Sequence, residues 1–351
     1  MYRQNLTMLI LVSLVLFSCQ KELVQPGVSP SVQPQQQQSK LQVSSTSVVL
    51  SQSKAAEVAI RFNWTAFGGQ SEETGGYTIE ADLTGSGFSN AIEVGSTYEP
   101  SISFTTQELN QQLRKVMMAD TRELVEFRIK ANGCQSLYST VVVVSATAYQ
   151  PYSLFDETQI MRLPGNYEDW SIPNAPRVVS TKRNGQFEGF VNFTDAKSQF
   201  YLVKGTQWDN VTTYNQTGAN TLGFNGTFFN VNGGAGINKV SVNMNTMTWS
   251  CTKINSFGLF GTATGAAGTD AEMTTDASNI SWKITKDLVK GEFVFRANKS
   301  NDIVFGHNEN SGTCIADANG EKITISQSGN YTIVLTLSAA GNYSYGIRKN
   351  K

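Results

Sequence analysis

Two stretches of this chain repeat one pattern at an offset of 93 residues. Gln199-Phe200-Tyr201-Leu202, followed by Asp209 and Asn215, returns as Glu292-Phe293-Val294-Phe295, followed by Asp302 and Asn308. Val240, Val242 and Met244 return as Ile333, Leu335 and Leu337. Each triplet alternates along the chain, the spacing of a half-buried strand. Each also precedes a turn and an aromatic residue, Trp249 or Tyr343. A period this long exceeds the usual solenoid unit, so it describes tandem β-modules, at about 153–254 and 255–351. Phe187, Gly189, Val191 and Phe193 form an apolar face in the first copy, and Ile280, Trp282 and Ile284 occupy the matching strand of the second.

The β pattern extends upstream, over 41–149. Val58, Ile60, Phe62 and Trp64 alternate with more polar residues, as do Tyr77, Ile79, Ala81 and Leu83 after Gly75-Gly76. Glycine and Ser/Asn clusters separate the runs, the punctuation of a sandwich. One segment departs from it: Thr105-Thr106-Gln107-Glu108 has the form of a capping box, and Leu109, Leu113, Val116 and Met117 follow at helical spacing. The expected architecture is all-β, three tandem sandwiches with one short helix, joined near Tyr149-Gln150-Pro151-Tyr152. Trp64, Trp249 and Trp282 fall in strand positions and are expected in cores.

Ahead of these modules, Arg3 precedes an apolar run from Leu6 to Phe17, too short to span a membrane as a helix. It ends in Leu16-Phe17-Ser18-Cys19, which resembles a bacterial lipobox, so 1–18 reads as a lipoprotein signal peptide and Cys19 as the lipidated residue. An ordinary cleaved leader is the alternative. Gln20-Lys21-Glu22 is similar to the export tag of Bacteroidetes surface lipoproteins. Residues 19–40, rich in Pro and Gln, read as a flexible tether with a span of roughly 25 Å. Net charge is −1 and only 16% of residues are charged, which gives no nucleic-acid footprint. Cys134, Cys251 and Cys314 fall in separate modules and predict no structural disulfide. A single histidine, His307, excludes a His-based metal site or catalytic triad.

The remaining tryptophans, Trp170 and Trp208, lie in loop-like settings outside any clean apolar alternation. An indole offers an apolar face of defined geometry, which suits the C–H face of a pyranose. Lys204 lies four residues before Trp208, and Asp209 and Asn210 follow it. These polar groups are suited to sugar hydroxyls. Tyr167 is a further candidate, and Asn215 a weaker one. The four carboxylates nearby, Glu168, Asp169, Asp195 and Asp209, show no spacing that marks an acid and a nucleophile, so no catalytic residue is assigned.

The stretches "LPGNYEDWSIPNAP", "NGQFEGFVNF", "YLVKGTQWDN", "INSFGLFGTATGAAGTDAEMTTDASNISWKI" and "GEFVFRANKSNDIVFG" resemble the SusE/SusF-type outer-membrane glycan-binding lipoproteins of Bacteroidetes. The resemblance covers residues 41–351. It implies an N-terminal immunoglobulin-like domain, two carbohydrate-binding-module-like sandwiches, and no enzymatic activity or cofactor. It further implies a starch-like glycan as ligand, a lipid-anchored, surface-exposed position at the outer membrane, and a SusC-like TonB-dependent transporter and a SusD-like lipoprotein as partners. The first repeat is also similar to the glycogen-binding module of AMP-activated kinase, which implies sugar contacts for Trp170, Lys204 and Trp208. The second repeat departs from the pattern. Its loop reads Gly265-Ala266-Ala267-Gly268-Thr269 and Asn301 stands at the position of Trp208, so it is expected to be degenerate, with Arg296 as a remaining ligand contact. Fold alone leaves two other readings open: a scaffold meeting protein partners, and a glycoside hydrolase.

Overall fold

A computed structural model describes residues 38–350 apart from 66, 68–74, 134–135, 232, 267, 309–315 and 319. The signal peptide, most of the tether, the lipidation site Cys19, and Cys134 and Cys314 lie outside the described residues. Cys251, half-buried, is a free thiol. The chain is almost entirely β, with several sheets. The predicted helix forms at Thr106–Leu113, and is the only α-helix among the described residues. Its capping box closes as expected: Thr105 Oγ1 accepts the Glu108 N–H at 3.3 Å, and Glu108 Oε2 accepts the Thr105 N–H at 2.8 Å. Among the described residues, no helix is long and apolar enough to cross a membrane.

Buried apolar side chains gather in three clusters. The first takes its residues from Leu41 to Tyr149, between a three-stranded sheet and a larger sheet of mostly antiparallel strands. Strand Val58–Trp64 buries Ile60, Phe62 and Trp64, but Val58 stays outside because the register with Ser101–Thr105 shifts between Val58 and Ile60. Such a bulge turns a residue off the face its spacing assigns it.

The two repeats share a recognisable backbone plan. In each, a long antiparallel pair is extended by a third strand: Gln186–Phe193, Gly236–Asn243 and Thr248–Lys253 in the first, and Ser281–Leu288, Gly329–Thr336 and Ser344–Lys349 in the second. Trp249 and Trp282 are buried, as their strand positions predict. The rest differs. Where two facing sheets were expected in the middle unit, eight strands close into a barrel. Closure removes the exposed edges that a sheet of such short strands would leave. The last unit keeps two sheets.

The units are not beads on a string. Phe190 of the barrel belongs to the third unit's core, 5.5 Å from the Tyr343 ring and 6.0 Å from Phe305. The first unit meets the third as well. Arg114 donates to the Tyr345 carbonyl at 3.2 Å and Arg348 pairs with Glu123 at 2.8 Å, while Asn342 bonds both backbone groups of Ser153, where the middle module begins.

Candidate functional site

The barrel strand Ile160–Arg162 runs into a loop that the sequence folds tightly. A Cβ at Gly165 would stand 2.4 Å from the Gln199 carbonyl oxygen and equally close to the Tyr167 ring, so only glycine fits. Asn166 then zips the loop onto the neighbouring chain. Its N–H donates to Gln199 O at 3.0 Å, its Oδ1 accepts the Gln199 N–H at 2.9 Å, and its Nδ2 donates to Lys197 O at 3.2 Å. The Tyr201 N–H adds a bond to Pro164 O at 3.0 Å. Asp169 and Trp170 follow in the left-handed region, with φ of 56° and 59°. Two adjacent non-glycine residues there cost about 1–3 kcal/mol each and persist only when their surroundings dictate it. The bond from the Trp170 N–H to Gly165 O, at 2.9 Å, helps hold this arrangement.

The structure puts Tyr167 to a different use from the one expected of it. Its ring lies edge-on against core Phe193 at 5.2 Å and its hydroxyl donates to the Leu163 carbonyl, so it braces the loop from below. Burial, with Glu168 beside it, pushes that hydroxyl well above the usual phenol range. Glu168 is also structural. One carboxylate oxygen accepts the Gly165 N–H at 2.7 Å, and the other is buried with no partner among the described residues. Desolvation pushes its carboxyl up to about 7, against the lowering effect of the Gly165 bond, with Asp169 adding repulsion.

The two candidate tryptophans meet through a residue that the sequence reading passed over. Phe200 and Leu202 point into the barrel, fully buried, and Tyr201 between them faces the other way. The facing chain does the same, with Phe229 inward and Phe228 outward. An inner pair, Phe200 and Phe229, stacks at 5.2 Å beneath an outer pair, Tyr201 and Phe228, at 5.4 Å. Trp170 lies on both outer rings, 5.6 Å from Tyr201 and 5.7 Å from Phe228, inclined by 45° and 42°. Trp208 stands at 88° to Tyr201, 5.8 Å away, and is 48% exposed. Four rings thus form one continuous, partly exposed surface.

The loop that carries Trp208 is held from both ends. Asp209 Oδ1 accepts the Val211 N–H at 2.9 Å and its carbonyl accepts the Thr213 N–H at 2.8 Å, so this side chain shapes its own turn. Buried Arg162 donates to Gly205 O at 2.8 Å while both its terminal nitrogens bond Glu157. Lys204 is half-buried and its ammonium has no partner among the described residues; Asn210 is exposed. Tyr201, Phe228 and Arg162 are the parts the sequence reading missed.

Among the described residues the third unit has no corresponding surface. Val294 replaces Tyr201 and the exposed Asn301 replaces Trp208. Arg296, expected as a ligand contact, is already engaged. Its guanidinium forks onto Asp270 at 2.7 and 2.9 Å and lies 3.5 Å over the Phe260 ring. No group of side chains suited to a metal ion occurs among the described residues.

Fold and surface together describe an all-β, multi-sheet protein with an aromatic cluster on one rim of a closed barrel. Its N-terminal part is placed more closely: residues 28–130 match the family described as SusE outer membrane protein, the family its sequence resembles, and the match indicates an outer-membrane location. The crystal structure of SusF from Bacteroides thetaiotaomicron aligns over 89% of this chain and 77% of that one, at 11% identity and a TM-score of 0.26. No curated protein matches the chain.

Proposed function

We propose that this chain is a non-catalytic, lipid-anchored surface protein that binds a polysaccharide or oligosaccharide and helps capture it for TonB-dependent uptake. The Trp170–Tyr201–Trp208–Phe228 surface is the observation that carries the reading. Half-exposed rings at a rim suit the apolar faces of sugars, and Lys204 and Asn210 lie in the same loop for hydroxyls. The family match adds the outer-membrane setting. By the same resemblance the ligand is a starch-like glycan, and the partners are a SusC-like transporter and a SusD-like lipoprotein. The functional division follows the sequence repeat: a spacer at 41–149, a binding module at 153–254 and a degenerate module at 255–351. Carboxylates beside the surface are used structurally: Glu168, Asp195 and Asp209 each accept a backbone N–H. Affinity electrophoresis against immobilised polysaccharides tests the reading. Replacing both Trp170 and Trp208 by Ala should weaken binding at least thirtyfold, about 2 kcal/mol for an anchoring ring. Unchanged retention by every polysaccharide that the wild type binds would remove the proposal.

A scaffold role has one observation of its own. Val49, Leu124 and Val143 share the outer face of the first unit's larger sheet and are 74, 51 and 43% exposed. That face suits a protein partner, and Leu124→Lys should then abolish co-purification of the transporter pair while leaving glycan binding intact.

A further inference from the structure

Where the first unit meets the third, the surfaces leave a cleft of about 770 Å³. One wall is the segment around Asn90 together with the end of helix Thr106–Leu113; the other is formed by residues 322–327 and 345–350. A volume of this size suits a small ligand. Its charge is one-sided. The lining carboxylate among the described residues, Asp82, is buried and already accepts the N–H groups of Leu83 and Asn90, at 2.8 and 2.9 Å. Of the lining cations, Arg348 is matched by Glu123 and Lys322 by Glu292, and buried Arg114 is engaged by the Met117 and Tyr345 carbonyls and the Gln150 amide oxygen. Lys115 and Lys349 have no carboxylate partner among the described residues. Lys115 Nζ donates only to the Gln112 amide oxygen, and Lys349 Nζ spans the cleft between the amide oxygens of Asn90 and Gln327, at 2.7 and 3.2 Å. An ammonium group held by neutral amides keeps its full charge uncancelled, and the partial burial of Lys349 leaves its charge less screened than on an open surface. The amides and Ser86 beside it supply the donors and acceptors that sugar hydroxyls use.

We propose that this cleft binds a carboxylate-bearing saccharide, with Lys115 and Lys349 as counter-charges to the uronate and the flanking amides on its hydroxyls. The site is separate from the aromatic surface on the barrel. Isothermal titration at low salt with trigalacturonate, maltotriose and sodium sulfate tests it on the intact soluble protein. Trigalacturonate should bind, with affinity falling as sodium chloride is added. Its affinity should drop at least threefold in Lys115→Gln and tenfold or more in Lys115→Gln/Lys349→Gln. Lys115 is exposed and its side chain bonds only Gln112 among the described residues, so the single variant reports binding even where the double variant loosens the junction. The Trp170→Ala/Trp208→Ala protein should bind trigalacturonate as the wild type does, which separates this site from the barrel surface. No binding by the wild type overturns the proposal. So do equal affinity for maltotriose, equal affinity for sulfate alone, or indifference to Lys115→Gln.

Discussion

Glu168 shows how much a single carboxyl decides at the rim. It sits two residues before Trp170, with one oxygen bonded to Gly165 and the other buried and unpartnered. Its carboxyl is raised from 4.5 to about 7, chiefly by desolvation. The folded protein therefore holds this proton more tightly than the unfolded chain. The contribution to stability is complete below about pH 4.5, falls as pH rises through about 7, and is gone above that. Glu168→Gln, which stays neutral, should lose that dependence. In urea titrations the variant should gain on the wild type as pH climbs from 5 to 8, and parallel curves would show that the buried oxygen has a partner in solution. The neighbouring residues explain what the sequence revealed of the site. Trp170 and Trp208 were legible because indoles in loops have no core position to fill. Tyr201 and Phe228 were hidden in all-apolar runs, Phe200 to Val203 and Phe228-Phe229, where composition does not say which ring faces out.

Among the elements, helix Thr106–Leu113 was readable to its first residue because its start signal is local chemistry, whereas the helical spacing that runs on to Met117 overshoots its end at Leu113. It anchors more than itself. The Asn110 side chain bonds both backbone groups of Tyr149, at 3.1 and 2.8 Å, fixing the exit from the first unit. Thr105→Ala removes one side of the capping box and should lower stability by about 1 kcal/mol, read as a shift of the urea midpoint at unchanged slope. Strands were legible by alternation wherever one face is wet. Val58 shows the limit, since a bulge depends on the partner strand as much as on the residue itself. Barrel closure was equally out of reach: the short strands Leu202–Val203 and Ile160–Arg162 meet through one residue pair far apart in sequence.

At the scale of the whole molecule, the sequence repeat gives no sign that side chains pack across the boundary between its copies. Phe190 lies on a barrel strand yet packs in the third unit's core. Phe190→Ala should cost about 3 kcal/mol, as for other large-to-small changes in a core. Both repeats should feel it. Buried Trp249 reports on the barrel and buried Trp282 on the last unit, so single-tryptophan versions should both unfold earlier in the variant. A shift confined to the Trp282 signal would mean that the two cores melt separately.

Arg114 and Arg348 bind the first unit to the third, and Phe190 and Asn342 bind the third to the middle module. A tug on a polymer held at the barrel's rim would therefore reach the first unit by two routes, along the chain that joins them and through the last unit. The segment assigned no binding surface of its own would act as a strut that shares the load.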